Sequence, residues 1–261
     1  MTIVVGALCA NGVVIASDGM LTMGYPGQLP FAGFDNLKTH IINGKLIVSS
    51  AGSDKVMNIF LDFLHTKVDT IFAEDYLTSF DLCTAIHSEY LNYINTNFAK
   101  YPAIFLINNK LSSEIQNEFS AVLAFKFNGA HYLYRFFGCN SPEQIKPDSG
   151  LWYTMIGCGE TQAIPLMQLI IKLLNIEPVP QVDKVINLLY WTVAQVIESG
   201  AAGVGGKITI AKLHDINGQY VFEYVDTYGA DEFIDDFVQH VSQFRCSLIE
   251  NSAVEVAPKF T

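Results

Sequence analysis

Short apolar runs rich in β-branched residues alternate with Asn-Gly pairs along much of this chain. Two such runs, Thr2–Cys9 and Val13–Ser17, flank the turn Ala10-Asn11-Gly12. Because Asn-Gly readily adopts the left-handed conformations of a tight β-turn, this arrangement predicts an antiparallel hairpin. The same pattern predicts hairpins at Thr39–Ser50 around Asn43-Gly44, at Ala121–Phe137 around Asn128-Gly129 and at Ile208–Val225 around Asn217-Gly218, and a lone strand at Thr154–Ile156.

Helical periodicity replaces the strand pattern in two places, after the second hairpin and after the lone strand. There, apolar residues recur every three or four positions, which indicates helices with one buried face. Ser53 or Asp54 can cap the first of these helices. The predicted helices run from just after Gly52 to Phe72, from about Ser79 to Phe98, from Ala163 to Leu174 and from Val182 to Glu198.

Strand pairs and helix pairs therefore alternate along the chain. Since each element must bury its apolar face, this order predicts two antiparallel sheets packed face to face and covered outside by helices. The fold class is α+β, a four-layer αββα sandwich. No linker or low-complexity tract occurs before Ser247, so we expect a single domain over 1–261, with a core at about 2–228 and a partly mobile C-terminal extension at 229–261.

Composition narrows the class of function. The formal net charge is −11 and Lys and Arg are not clustered, which argues against nucleic-acid binding. The apolar start lacks a basic segment and is interrupted by Asn11-Gly12, and no apolar run reaches the roughly eighteen residues of a membrane span, so we expect a cytoplasmic protein. The scattered cysteines predict reduced thiols rather than a zinc site: Cys9, Cys83, Cys139, Cys158 and Cys246.

Candidate chemistry lies at the start of the chain. An N-terminal nucleophile hydrolase attacks a carbonyl with the side chain of its first residue and uses that residue's free α-amine as the base. The ordinary pKa of an α-amine is about 8, and a nearby cation lowers it. Such a site therefore needs a terminal Thr, Ser or Cys, a lysine, a carboxylate that orients the lysine and a backbone N–H for the oxyanion.

Thr2, Asp18, Lys38 and Gly52 can supply these groups once Met1 is removed. Taken singly, Thr2, Asp18 and Lys38 each have an ordinary structural explanation, as a strand threonine, a turn carboxylate and a solvated lysine. Their spacing resembles that of the proteasome-type β-subunits, because Thr2 lies sixteen residues before Asp18 and Lys38 fourteen before Gly52. The stretch SDGMLTMG, with Thr22 and Gly24, also resembles the signature of bacterial HslV-type subunits.

The direct Met-Thr start is similar to HslV and the ancestral bacterial β-subunits, in which a methionine aminopeptidase exposes the threonine. The resemblance implies a threonine peptidase or amidase with no cofactor and no metal. Thr2 would be nucleophile and base, Lys38 would lower the pKa of the amine, Asp18 would hold Lys38, and Gly52 would donate to the oxyanion. Cys158, in MIGCGE, stands where the family has a serine beside the terminal amine.

The resemblance also implies partners. The substrate would be a peptide or an unfolded protein, and the subunits would assemble into a homo-oligomeric ring or spiral, with an ATPase unfoldase as a further partner. Neither nucleic acid nor a membrane is expected to bind. The positions that resemble those of the family's specificity pocket are Leu21, Asn36, His40, Ser50 and Asp54.

Two segments depart from the family pattern. In ESGAAGVGG, Ala201 and Val204 stand where the family has an aspartate and a serine, and Glu198 and Ser199 are close enough in sequence to compensate. About four residues are also inserted within MGYPGQLPFAGFDN, which either reshapes the substrate pocket or a subunit contact, or simply elaborates a loop.

Two other functions stay open. A non-catalytic assembly subunit would retain Met1, and the loss of the aspartate and serine at Ala201 and Val204 favours it. An N-terminal nucleophile amidase acting on a small molecule is the third hypothesis, although such enzymes more often begin with Cys or Ser.

Overall fold

The computed structural model of the chain describes residues 2–23, 31–100, 119–138, 140–147, 151–201 and 203–225, together with 239 and 242. The rest of the predicted C-terminal extension, residues 24–30 of the inserted segment, Cys139 and Cys246 lie outside these residues. Twelve strands and four helices form within the described part of the chain.

Ten of the strands form two five-stranded antiparallel sheets, and two form a small sheet of their own. The first sheet has the order β10-β1-β2-β11-β12 and the second β5-β6-β7-β8-β9. The strands are β1 (Val4–Cys9), β2 (Gly12–Ser17), β3 (Met20–Met23), β4 (Phe31–Asp35), β5 (Thr39–Ile42), β6 (Leu46–Gly52), β7 (Phe119–Phe127), β8 (Ala130–Phe137), β9 (Glu143–Gln144), β10 (Tyr153–Ile156), β11 (Thr209–Ile216) and β12 (Gln219–Val225).

Each predicted helix is confirmed, with ends that move by up to three residues. The second begins at Ser79 and the fourth has the expected bounds, whereas the third begins three residues early because Glu160 follows directly on a glycine turn. Ser53 occupies the N-cap position of the first helix, but its side chain makes no capping hydrogen bond. The helices are α1 (Asp54–Ile71), α2 (Ser79–Lys100), α3 (Glu160–Leu173) and α4 (Val182–Glu198).

The layers follow from two apolar clusters. One cluster fills the space between the two sheets and extends through the first sheet to α3 and α4, joining Val5 and Ile15 to Val122 and Val185. The other lies between the second sheet and helices α1 and α2, around Phe60. The predicted αββα sandwich is confirmed, and none of the helices in the described residues combines the length and apolar character needed to cross a bilayer.

Asn-Gly pairs turn three of the four predicted hairpins as expected. Both residues of each pair have positive φ: Asn43-Gly44 at 49° and 63°, Asn128-Gly129 at 46° and 79°, and Asn217-Gly218 at 55° and 86°. The last two pairs form two-residue turns, whereas Lys45 extends the first to a three-residue connection between Ile42 and Leu46.

The first hairpin differs from its prediction. Ala10 and Asn11 form its turn, and Gly12 is already the first residue of β2, paired with Cys9. A Cβ atom on Gly12 would lie 2.1 Å from the carbonyl oxygen of Leu213 on β11. Glycine is therefore needed here for the close approach of a neighbouring strand rather than for a turn.

The insertion between the second and third predicted strands is more than a loop. It contains β3 and β4, which pair with each other in a separate two-stranded sheet whose register shifts between Met20 and Thr22. The sequence analysis missed this hairpin because neither strand has a clear alternating pattern and no Asn-Gly pair joins them.

Candidate active site

An ion pair between Asp18 and Lys38 joins the two sheets. Asp18 follows β2 of the first sheet, Lys38 precedes β5 of the second, and the Lys38 Nζ donates to Asp18 Oδ1 at 2.9 Å. The Lys38 side chain is 3% exposed and that of Asp18 is fully buried. Because an unpaired charge is costly away from water, each side chain fixes the position of the other.

Asp18 also fixes the backbone around it. Oδ1 accepts a second hydrogen bond from the N–H of Ile3 at 2.9 Å, and Oδ2 accepts from the N–H groups of Gly205 at 3.0 Å and Met20 at 3.3 Å. The carboxylate therefore connects Lys38 to the residue that follows Thr2. These backbone partners were not predicted. Almost every residue type has an N–H donor, so the sequence does not indicate which N–H groups bond to Asp18.

The loop before α3 holds the backbone of Thr2. The Thr2 N–H donates to Cys158 Sγ at 3.2 Å, and the Thr2 carbonyl accepts from the Gly159 N–H at 3.2 Å and from the Cys158 thiol at 3.5 Å. Thr2 is 6% exposed, whereas Cys158 is exposed to solvent. The structure thus brings Cys158 beside the Thr2 nitrogen, at the position that the resemblance implied for it.

Gly157 allows this close packing. Its φ is +99°, and a Cβ atom there would lie 2.2 Å from the Thr2 carbonyl oxygen and 3.5 Å from the Ala51 Cβ. The end of β6 is therefore adjacent to Thr2. Gly52, the last residue of β6, follows Ala51 directly and is exposed, with a φ of +126°.

Replacing Gly157 by alanine is expected to lower the free energy of unfolding by at least about 3 kcal/mol, because it adds both backbone strain and a steric clash with Thr2. Gly129→Ala is the matched control, since Gly129 has a φ of +79° but open space around it. We expect the control to cost only the strain, about 1–2 kcal/mol. Chemical denaturation of the two variants measures the difference, and equal losses would contradict the proposed contact with Thr2.

Burial dominates the electrostatics of Lys38. It lowers the pKa of the ammonium below the ordinary value for lysine, while Asp18 and, more weakly, Cys158 oppose that change. Cys158 thus interacts with both Lys38 and Thr2. The thiols of Cys9 and Cys83 are different, because burial raises their pKa and keeps them protonated.

Comparison with known proteins supports the same architecture. No family model matches the chain, and no curated protein matches it in sequence. Among solved structures, Anbu (ancestral beta-subunit) from Yersinia bercovieri is 13% identical, with 99% of this chain and 100% of that chain covered and a TM-score of 0.65. The chain has the N-terminal nucleophile hydrolase fold.

A second structure, the Anbu (Gly-1) mutant from Hyphomicrobium sp. strain MC1, has that fold as well. It is 9% identical over 100% of both chains, with a TM-score of 0.63. One fold supports many chemistries, so the function of this N-terminal nucleophile fold is argued from the residues of its site.

The segment before β11 corrects one expectation from the sequence. Glu198 accepts a hydrogen bond from Gln195 on α4, and the Ser199 hydroxyl donates to the Val196 carbonyl at 2.8 Å and lies 3.2 Å from Gln162 Oε1 on α3. Both side chains are therefore engaged at the surface of the helices. Neither takes the place of the aspartate and serine that the family pattern would put near Thr2.

Ala201 and Val204 themselves are buried. The Val204 side chain lies beside Gly159, where a Cβ atom would be 3.2 Å from Val204 Cγ2 and 2.9 Å from the Ile3 Cβ. In this N-terminal nucleophile fold, the side of the site next to Gly159 is thus apolar where the family pattern is polar.

Two of the expected specificity positions belong to the small sheet and its connection to β5. Leu21 lies in β3, and its side chain is outside the described residues. Asn36 follows β4, and its backbone N–H donates to the Gly19 carbonyl at 2.7 Å. This bond closes the inserted hairpin directly beside Asp18.

The other three specificity positions lie on β5, on β6 and at the first residue of α1. His40 is opposite Val48 in the β5–β6 pair and Ser50 is two residues farther along β6, so both face the helix layer. Within the described residues, His40 Nε2, Ser50 Oγ and Asp54 Oδ1 are buried and have no hydrogen-bond partner. Burial also lowers the pKa of His40. Asp54 does not cap the helix, because the N-cap is Ser53 and Asp54 instead accepts from Asn58.

Proposed function

We propose that this chain is a threonine peptidase or amidase of the proteasome type, with Thr2 as the nucleophile after removal of Met1. The observation that carries the proposal is the buried Lys38–Asp18 pair, whose carboxylate also binds the backbone N–H of Ile3. A single group thus fixes a cation relative to the residue next to the nucleophile. This is the arrangement that activation of a terminal amine requires.

The reaction uses Thr2 twice. The neutral α-amine accepts the proton of the Thr2 hydroxyl as the oxygen attacks the carbonyl carbon of the scissile amide, and the Gly52 N–H stabilises the resulting oxyanion. The ammonium then donates its proton to the leaving nitrogen, the C–N bond breaks and an ester remains on Thr2. A water molecule deprotonated by the same amine hydrolyses the ester and restores Thr2.

Lys38 and the apolar side of the site both favour the neutral amine. The ammonium of Lys38 disfavours a second positive charge nearby, and the buried side chain of Val204, beside Gly159, disfavours any charge at the terminus. The loss of the family's aspartate removes a group that would stabilise the protonated amine. Cys158 keeps a hydrogen-bonding atom beside Thr2, although a thiol is weaker in this role than a hydroxyl.

The unpartnered polar atoms at the start of α1 support a preference for polar or basic substrate side chains. A hydroxyl or ammonium group entering there could bond to Ser50 and Asp54, whose atoms are otherwise unsatisfied. We propose a peptide or an unfolded protein as the substrate, in the cytoplasm.

We further propose that access to the site is restricted by assembly into a homo-oligomeric ring or spiral, served by an ATPase unfoldase. The likeness in fold to Anbu from Yersinia bercovieri, an ancestral beta-subunit, supports assembly.

A peptide epoxyketone tests the proposal, because it forms a ring only with a residue that offers both a hydroxyl and a free amine. We expect a covalent adduct on Thr2, located by peptide mass spectrometry, in protein whose Met1 is absent by intact mass. Cys158→Ser protein controls for reaction at the exposed thiol and should give the same adduct. Unlabelled Thr2 in protein that lacks Met1 would refute the proposal, and complete retention of Met1 would favour a non-catalytic assembly subunit.

A further inference from the structure

Three buried hydroxyl groups form a chain beside the Lys38–Asp18 pair. Ser17 Oγ lies 2.8 Å from Thr39 Oγ1, Thr39 Oγ1 donates to Ser49 Oγ at 3.0 Å, and Ser49 Oγ donates to the Lys38 carbonyl at 3.1 Å. Each hydroxyl has a single proton, so Ser17 must be the donor to Thr39. The chain therefore runs in one direction, from β2 to the backbone of Lys38.

The position of these hydroxyls relative to the ion pair is specific. Ser17 is the last residue of β2 and directly precedes Asp18, while Thr39 is the first residue of β5 and directly follows Lys38. Ser49 lies opposite Thr39 in the β5–β6 register. The hydroxyls consequently tie the two sheets together at the point where Asp18 and Lys38 meet.

This polar chain contrasts with its surroundings. All three residues are fully buried at a sheet-to-sheet boundary that is otherwise filled by apolar side chains such as Ile47 and Val122. Apolar residues of similar size would fill the space without the loss of hydration that buried hydroxyls incur. The hydroxyls instead supply directional bonds, which set the separation of two backbones more narrowly than apolar packing does.

We propose that Ser17, Thr39 and Ser49 are positioning residues that hold the backbone of Lys38 at the place from which its ammonium meets Asp18 and serves Thr2. This inference rests on the proposed function. Lysine has a long, flexible side chain, so the ion pair alone does not fix where its backbone lies. Displacement of a site group by about 1 Å can lower turnover about 100-fold. Hydroxyl groups that hold the Lys38 backbone in place would therefore preserve turnover.

Thr39→Val tests the inference because it keeps the shape of the side chain and removes the hydroxyl. We expect kcat to fall about tenfold with KM within about twofold, and Thr39→Ser to restore most of the loss. The matched control is Thr192→Val, since Thr192 is also fully buried and bonds through its hydroxyl to the Leu188 carbonyl of α4. The control should leave kcat within about twofold of the unmodified protein.

A direct titration of Lys38 keeps this test separate from the proposed function. In protein labelled with ¹⁵N at the lysine Nζ atoms, we expect Thr39→Val to lower the titration midpoint of Lys38 by about half a pH unit or more, because a looser pair with Asp18 opposes burial less. Ser49→Ala, which removes the donor to the Lys38 carbonyl, should do the same and serves if Thr39→Val does not fold.

The outcomes separate the two claims. If the unmodified protein hydrolyses no peptide and takes no epoxyketone, the proposed function fails, and the titration still decides whether the hydroxyls hold the pair. If Thr39→Val matches Thr192→Val in both kcat and the Lys38 midpoint, the hydroxyls only join the sheets and the inference is overturned.

Discussion

Thr2→Ala protein is expected to lose peptide hydrolysis by about 10⁴-fold or more, because the substitution removes the only atom proposed to attack the substrate. The α-amine would remain but would have no hydroxyl to deprotonate. Thr2→Ser keeps the nucleophilic oxygen and should retain activity within about tenfold to a hundredfold of the unmodified protein. Steady-state turnover of a panel of fluorogenic peptides, in protein whose Met1 is shown to be absent, measures both effects.

The thermal unfolding midpoint provides the control for this comparison. Thr2 is buried, so Thr2→Ala must be shown to remain folded before a loss of turnover is assigned to chemistry. Substantial hydrolysis by folded Thr2→Ala protein would show that another group attacks the substrate. The exposed thiol of Cys158 would then be the first to examine, since its sulfur lies 3.2 Å from the Thr2 nitrogen.

Lys38→Met should lower the free energy of unfolding by about 3–5 kcal/mol and remove hydrolysis, because it leaves the carboxylate of Asp18 buried without its cation. The backbone N–H groups that also bind Asp18 place the expected loss at the lower end of that range. The exposed pair between Lys45 and Asp69 has nearly the same length, 2.8 Å, and gives a matched control. Lys45→Met should leave stability nearly unchanged, since water screens that pair.

Adding Asp18→Leu to Lys38→Met shows how much of the lost stability comes from leaving the Asp18 carboxylate buried without a partner. The double variant removes both charges and is expected to recover much of the lost stability while remaining inactive. Denaturant titrations and peptide turnover measured on the same preparations make this comparison. Equal destabilisation by Lys38→Met and Lys45→Met would be inconsistent with a dry, buried ion pair.

The sequence predicted most of the two large sheets because their turns depend on local chemistry. Asn43-Gly44 and Asn217-Gly218 can adopt positive φ whatever surrounds them, so the pairs locate their hairpins directly. Gly12 was misassigned because its role, the close approach of β11, depends on a strand some 200 residues later in the chain. The β3–β4 hairpin, in turn, carries no comparable local signal.

The residues of the candidate site also fall into two groups: those that the sequence could identify and those that only the fold identifies. Asp18 and Lys38 could be proposed because their distances along the chain from Thr2 and Gly52 resemble those of the proteasome-type β-subunits. Gly205 could not be assigned its bond to Asp18, because a backbone N–H becomes a specific donor only once a fold positions it. The expectation for Glu198 and Ser199 failed because proximity in sequence does not determine which way a side chain at a helix end points.

The hydrogen bonds of Asp18 have a consequence for how the molecule matures during synthesis. Thr2, the proposed nucleophile, is synthesised well before Gly205, whose N–H completes the hydrogen bonds of Asp18 from 187 positions farther along the chain than Asp18. A growing chain therefore carries an exposed threonine long before the surrounding groups can organise it. Hydrolytic competence would arise only after Gly205 has been synthesised, so shorter chains would pose little danger to neighbouring proteins.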